Sequence, residues 1–304
     1  MARHDLVIDE KAAFVAARSL LLSKEAVGTS IRRISWSGGE TDVLELGSGP
    51  PLLLIHGGLS SSCEWAPILS GLGVDHHVFA VDQPGHGGAE PFDYGEVDLN
   101  EHGPRFVGET LDALGLERAA VMANSIGGLL AARFAQTHPE RVASLVFAGF
   151  PAGLRRRPPL MFRMMALPLV PRLAFGNPTA EGSRKFMGDG LAVAHPELLS
   201  DELVDCDVAN TRLHMESFLT LVRRIVGLGG LRTQWLLGDG WCAMPEGTTI
   251  LWGENEPWAS PGWGEQTLSD LGARIRIVPI PNAGHLPWWD EPELVMREAR
   301  RVLF

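Results

Sequence analysis

Ser125 stands in the run Val121-Met122-Ala123-Asn124-Ser125-Ile126-Gly127-Gly128. An apolar stretch stops at a serine whose neighbours two positions before and after are small, and the helix-compatible run 129–136 follows. That pattern fits a strand turning sharply into a helix with the serine at the apex, a nucleophile elbow. Only small residues at those two positions avoid a clash in so tight a turn. The elbow lifts the hydroxyl clear of the sheet and points the first free helix N–H groups at whatever the oxygen attacks. Ala123 takes the place of the more usual glycine. Read on this run alone, the serine could instead cap the helix, since Ser is a preferred N-cap residue.

A serine hydroxyl needs a base within hydrogen-bond reach to act as a nucleophile. Ten histidines are available. His285 follows a strand-like run and sits in the loop Asn282-Ala283-Gly284-His285, so its ring could reach over a sheet edge; a solvent-exposed loop histidine is the alternative. His56 opens a glycine-rich loop that it is expected to order. His86 lies in a tight Gly-His-Gly turn, and His138 precedes Pro139.

The elements that must position these residues are legible as alternation. Residues 31–36 and 43–46 suit an antiparallel pair. Runs 52–55, 77–81 and 119–122 read as strands buried on both faces, and 144–147 as a further strand. Helical patterns lie between them at 64–72, 105–114 and 126–136. Strand alternating with helix predicts an α/β fold, a mostly parallel central sheet covered by helices on both faces. From 151 to about 243 the chain turns rich in Leu, Met, Arg and Pro and carries no strand signal. Strand character returns at 249–252 and 275–280, before an amphipathic helix over 291–303. The expected organisation is a core over 1–150 with a helical extension at 1–28, a helical cap over 151–245, and the rest of the core over 246–304. Ligands of open parallel sheets bind at the carboxyl ends of the strands, where each chemical feature falls.

A chain of 304 residues with 45% apolar and 21% charged residues is an ordinary globular protein. A net charge of −11 argues against a polyanion partner, so nucleic acid is not expected. Arg155-Arg156-Arg157, followed by two prolines, reads as a solvated loop rather than an anion site. Cys63, Cys206 and Cys242 are widely spaced, form no metal-ligand pattern and read as free thiols. The N-terminus makes a poor signal peptide and is too short and too charged to span a membrane, so a cytoplasmic protein is expected. Neither glycine-rich loop is a phosphate cradle and no dinucleotide fingerprint appears; no cofactor is expected. A homodimer is compatible with the chain.

From Val43 to the C-terminus the chain resembles an α/β-hydrolase with a helical cap. The resemblance rests on five motifs in the family's order: His56-Gly57-Gly58, Asp82-Gln83-Pro84-Gly85-His86-Gly87, the Ser125 elbow, Trp252-Gly253-Glu254-Asn255-Glu256, and Asn282-Ala283-Gly284-His285. It implies Ser125 as nucleophile, His285 as base and an acid that fixes the histidine tautomer. The family's position for that acid is Glu256, a glutamate where aspartate is commoner, with Glu254 as competitor. Some relatives carry the acid after the preceding strand, but Phe147-Ala148-Gly149-Phe150 has no carboxylate. The resemblance also implies an oxyanion hole from the backbone N–H groups of Ile126 and Gly58. Serine in place of aspartate argues against haloalkane dehalogenases and typical epoxide hydrolases.

Trp252, Trp258, Trp263, Trp288 and Trp289 gather around the expected acid and base, and the cap adds Met161, Phe162, Met164 and Met165. Gly57, Asn124, Trp258, Leu286 and Trp288 are the expected pocket residues. Together they suggest a small hydrophobic substrate. The expected reaction is hydrolysis of an ester or similar acyl bond through an acyl-enzyme. Asn124 is similar to the Gly-Asn-Ser-Met-Gly-Gly run of hydrolases that cleave C–C bonds of vinylogous diketones, although Leu286 stands where those often carry Trp. A lyase or cyclase, or a non-enzymatic ligand receptor, are the further alternatives.

Overall fold

The computed structural model describes residues 3–155, 157–167, 169–170, 173, 177–188 and 192–303. The side chain of Met161 lies outside the described part, as does Arg156.

Eight strands form one sheet: β1 (Ser30–Trp36), β2 (Gly39–Gly47), β3 (Pro51–Ile55), β4 (His77–Val81), β5 (Ala119–Ala123), β6 (Val142–Ala148), β9 (Thr249–Gly253) and β10 (Arg276–Ile280). Their spatial order is β1-β2-β4-β3-β5-β6-β9-β10. β1 and β2 are antiparallel, joined by the turn Ser37-Gly38, and β2 is antiparallel to β4; every later pair is parallel. The expected early antiparallel pair and parallel sheet are both present. Strands β3, β4 and β5 are apolar on consecutive residues because both faces are covered.

The chain leaves β3 for β4 on one side and returns to β5 on the other. Loops diverge at that reversal and leave a crevice beyond the strand ends. Ile55 pairs with Ala123 there, so the His56 loop and the Ser125 turn emerge side by side.

Helices α2 (Ala66–Leu72), α3 (Leu99–Leu114) and α4 (Ser125–Thr137) connect the first strands. α3 starts earlier than its periodicity indicates, because Asp98 caps it by accepting from Asn100 N–H at 2.9 Å. The segment expected as helix over 64–72 divides into a 3-10 turn at Ser62–Trp65 and then α2.

Between β6 and β9 lie α5 (Leu160–Met164), α6 (Ala180–Gly188) and the long α7 (Asp201–Ile225). Ser200 caps α7 by accepting from Leu203 N–H at 3.3 Å, acids fill its first turn and Arg223 and Arg224 its last, in keeping with the helix dipole. This stretch is not free of strand. β7 (Val226–Gly227) and β8 (Gly230–Leu231) form a two-stranded ribbon, too short and glycine-rich to leave an alternating pattern.

α7 is fastened to the loops below it by polar contacts. Asn210 Oδ1 accepts from Gly87 N–H at 2.8 Å, His214 Nε2 donates to Gly87 O at 2.8 Å, and Ser217 Oγ accepts from Phe92 N–H at 3.0 Å. From the other side it packs on α1 (Arg3–Glu25). Arg18, which interrupts the apolar run of α1, is buried and pairs with Asp42 at 2.9 Å and Asp82 at 3.6 Å. α8 (Pro261–Asp270), α9 (Pro287–Asp290) and α10 (Pro292–Leu303) complete the layers. Among the described residues no helix is long and apolar enough to cross a membrane.

Candidate active site

Ser125 is the first residue of α4 and has φ +49°. A side-chain residue in the left-handed region is strained and persists only when its surroundings fix it. Here the fixing is done by close backbone approach. A Cβ on Gly127 would lie 2.2 Å from His56 O and 2.6 Å from Ile55 O. The helix therefore begins pressed against the end of β3, which only glycine permits. One on Gly57 would lie 2.4 Å from Asn124 Oδ1 and 3.4 Å from Ser125 Cβ, so the His56 loop runs directly over the elbow.

His56 orders that loop, as expected. Its Nδ1 donates to Gly57 O at 2.6 Å and its Nε2 accepts from Gln83 N–H at 2.9 Å. Burial pushes its pKa down to about 4, so the ring stays neutral and can serve as donor and acceptor at once. Asp82 in the next motif accepts from Ser62 N–H at 2.7 Å and Gly88 N–H at 2.8 Å. Both motifs are scaffolding for the crevice.

His285 is buried rather than solvent-exposed, and Glu256 with it. His285 Nδ1 lies 2.8 Å from Glu256 Oε2. The same oxygen accepts from Phe150 N–H at 3.1 Å, and Oε1 accepts from Trp258 N–H at 3.4 Å. The carboxylate is thus held by three donors and fixes the ring with Nδ1–H toward itself. Glu254 is exposed, with its N–H tied to Ile280 O at 2.9 Å. Phe150, in the stretch after β6 that lacks a carboxylate, reaches the same acid through its backbone.

The loop of His285 is anchored at two further points. Asn124 Nδ2 donates to Ala148 O at 2.7 Å and to His285 O at 3.3 Å. Asp290 accepts from Gly284 N–H at 2.8 Å and from the N–H groups of Ala194 and His195. Asn124 was expected to line the pocket; it does, yet its amide is spent on the backbone. Asp290 was not singled out from the sequence, since a carboxylate at a helix end gives no signal of its own.

A cavity of about 340 Å³ lies between this edge and the inserted helices, within the usual range for small-molecule sites. Gly57, Gly58, Asn124, Ser125, Ile126 and Trp258 all line it, and so do His285 and Leu286. Phe162 and Met165 face it as well, whereas Met164 is exposed. Phe162 packs on Trp258 with ring centroids 4.0 Å apart, and Trp258 on His285 at 5.7 Å.

Trp288 is a correction. It is fully buried, stacks on Trp65 at 4.2 Å and donates to Glu64 O. Being close to His285 in sequence did not bring it to the cavity, because α9 turns its ring into the opposite layer. Trp252 is likewise in the core. Arg155 is the second correction: it lines the cavity, donates to Trp258 O and lies over the Trp263 ring at 5.2 Å. Two carboxyl groups unforeseen in the sequence, Glu64 and Asp207, also line the wall. Burial pushes Glu64 up to about 8 and Asp207 up to about 6.

A strained serine at the switch point of a mostly parallel sheet, with a histidine and acid beside it, defines an α/β-hydrolase. The alpha/beta hydrolase family pattern matches residues 52–298, and the chain belongs to that family. It is a hydrolase. It is 23% identical over 265 residues to the 2-hydroxy-6-oxononadienedioate/2-hydroxy-6-oxononatrienedioate hydrolase of Comamonas testosteroni, covering 83% of this chain and 87% of that one. To the enzyme of the same name from Cupriavidus pinatubonensis it is 26% identical over 274 residues, 86% of each chain. The naproxen esterase (carboxylesterase NP) of Bacillus subtilis has the same fold, with TM-score 0.77 at 23% identity over 96% of this chain and 98% of that one.

Proposed function

We propose that the chain is a serine carboxyl-ester hydrolase using Ser125, His285 and Glu256, with residues 151–245 as a cap over the substrate. The observation that carries this reading is the 2.8 Å contact of His285 Nδ1 with a buried, three-donor Glu256 on the wall that also holds Ser125. Nδ1 is occupied, which leaves Nε2 as the basic nitrogen. His285 takes the Ser125 proton as Oγ attacks the ester carbonyl. Negative charge forms on the carbonyl oxygen and is received by the N–H groups of Ile126, at the open start of α4, and Gly58. The tetrahedral species expels the alcohol with the proton from His285, leaving an acyl-serine that water cleaves by the same steps in reverse order.

A second reading is C–C bond hydrolysis of a vinylogous diketone. The names of the curated relatives and Asn124 before the serine favour it. Two observations weigh against it. Leu286 replaces the Trp common after the histidine, and the Glu64–Asp207 wall disfavours the carboxylate that dienoate substrates carry. Turnover separates the two. Hydrolysis of p-nitrophenyl butyrate with no cleavage of a 2-hydroxy-6-oxo-dienoate supports the esterase; the reverse pattern assigns the C–C reaction.

A further inference from the structure

Ester hydrolysis as described leaves Glu64 and Asp207 without a task. Glu64 comes from the 3-10 turn after β3 and Asp207 from α7. Both line the cavity of Ser125, and both line a small recess that adjoins it. Glu64 is 2% exposed. Its Oε1 accepts from Gly57 N–H at 3.2 Å, while its Oε2 is buried with no hydrogen-bond partner among the described residues. A buried carboxyl oxygen without a donor is costly and calls for an explanation.

Among the described residues no cation acts on either group. Glu64 feels burial, the Ser60 hydroxyl, Gly57 N–H and the repulsion of Asp207. Asp207 feels burial and the Ser183 hydroxyl, which donates to its Oδ2. Burial pushes Glu64 up to about 8 and Asp207 up to about 6, so ionisation of the pair is disfavoured until a positive charge joins it. Arg155, the cationic side chain on the same wall, is engaged by Trp258 and Trp263. Around the pair the small recess is otherwise lined by Ser60 and Ser61, the Asn210 amide, the Cys63 and Cys206 thiols and apolar side chains. Such a site suits a singly charged organic cation better than a divalent metal, which takes six or more oxygen ligands or keeps its own waters.

We infer that Glu64 and Asp207 form a subsite for an ammonium group, so that the substrate of this cavity is an amine-bearing ester. Gly57 sets the span: its N–H meets Glu64, and its Cα side faces Ser125. The ammonium therefore lies a short chain away from the carbonyl. The unpartnered Oε2 and the Asp207 carboxylate accept its protons, and the apolar wall covers the chain between. This inference rests on the cavity being the substrate site, and its test is a binding measurement that needs no turnover.

Isothermal titration of the intact protein at pH 7 with n-hexylammonium chloride and with 1-hexanol compares the charged and neutral head groups directly. The expected result is at least tenfold tighter binding of the ammonium. Glu64→Gln and Asp207→Asn should each weaken the ammonium at least tenfold and leave 1-hexanol within twofold. Equal affinities in the unaltered protein, or ammonium binding indifferent to both variants, would overturn the inference. The first comparison uses no variant, so a folding defect in either leaves it decisive. Ammonium selectivity in a protein whose Ser125 proves unreactive faults the hydrolase mechanism and not the subsite.

Discussion

Asn124 donates a hydrogen bond to the carbonyl of His285 at 3.3 Å, so the residue before the nucleophile holds the loop of the base. The same amide reaches Ala148 O at 2.7 Å. The residue after β5 thereby ties the end of β6 to the loop that follows β10. Removing the amide by Asn124→Ala frees two buried carbonyls, at about 1–3 kcal/mol each. The expected outcome is a kcat lowered about tenfold or more with KM little changed, read from steady-state ester hydrolysis. A change confined to KM would mean that Asn124 contacts substrate and does not position His285.

Glu256→Gln keeps the size of the side chain but removes the charge that supports the imidazolium. By analogy with the Asp of a serine triad, kcat should fall about 10³–10⁴-fold. Glu254 is exposed, and Glu254→Gln should stay within about twofold, the usual behaviour of surface substitutions. Steady-state kinetics of the two variants side by side decides the matter, and the opposite ranking would move the acid to Glu254.

Gly127→Ala places a methyl group against two backbone oxygens at 2.2 and 2.6 Å. Backbone cannot yield as a side-chain tip can, so the expected loss is about 2–4 kcal/mol of unfolding free energy together with most of the activity. Urea denaturation measures the first. An unchanged midpoint would contradict the close packing of the elbow on the end of β3.

Much of this site was readable in the sequence, and the reason is local. Ser125, His285 and Glu256 each follow a strand within a short motif, and strands in a parallel sheet deliver their carboxyl ends to one edge. Glu64 and Asp207 carry no such signal. They are far apart in the chain and meet only because α7 crosses over the 3-10 turn. Trp288 shows the converse, since three residues after His285 the chain has already entered a helix facing the other layer. Ala123, an apparent departure from the elbow pattern, is simply buried at the end of β5.

Buried histidines set the acid limit of the fold. Burial pushes His56 and His102 down to about 4, and His86 well below its ordinary value. Between about pH 4 and 6.5 the unfolded chain binds protons there that the folded chain does not, so stability rises with pH across that window and is lost as pH falls through it. The contribution is on the order of 3 kcal/mol for each of His56 and His102. Glu64 has the opposite sign. Its raised pKa costs stability progressively as pH climbs from about 4.5 to about 8. Glu64→Gln should therefore gain on the unaltered protein over that upper range. Urea midpoints at pH 4.5, 5.5, 6.5 and 8 check both slopes, and a Glu64→Gln advantage that shrinks with rising pH would contradict the assignment.

The proposed chemistry depends first on Ser125 being a nucleophile activated by His285. Labelling with a fluorophosphonate probe, followed by peptide mass mapping, tests it most directly. The expected result is stoichiometric modification of Ser125, abolished in Ser125→Ala and strongly slowed in His285→Ala while both variants remain folded. A folded, unaltered protein that takes up no probe, or takes it up at another residue, would contradict it.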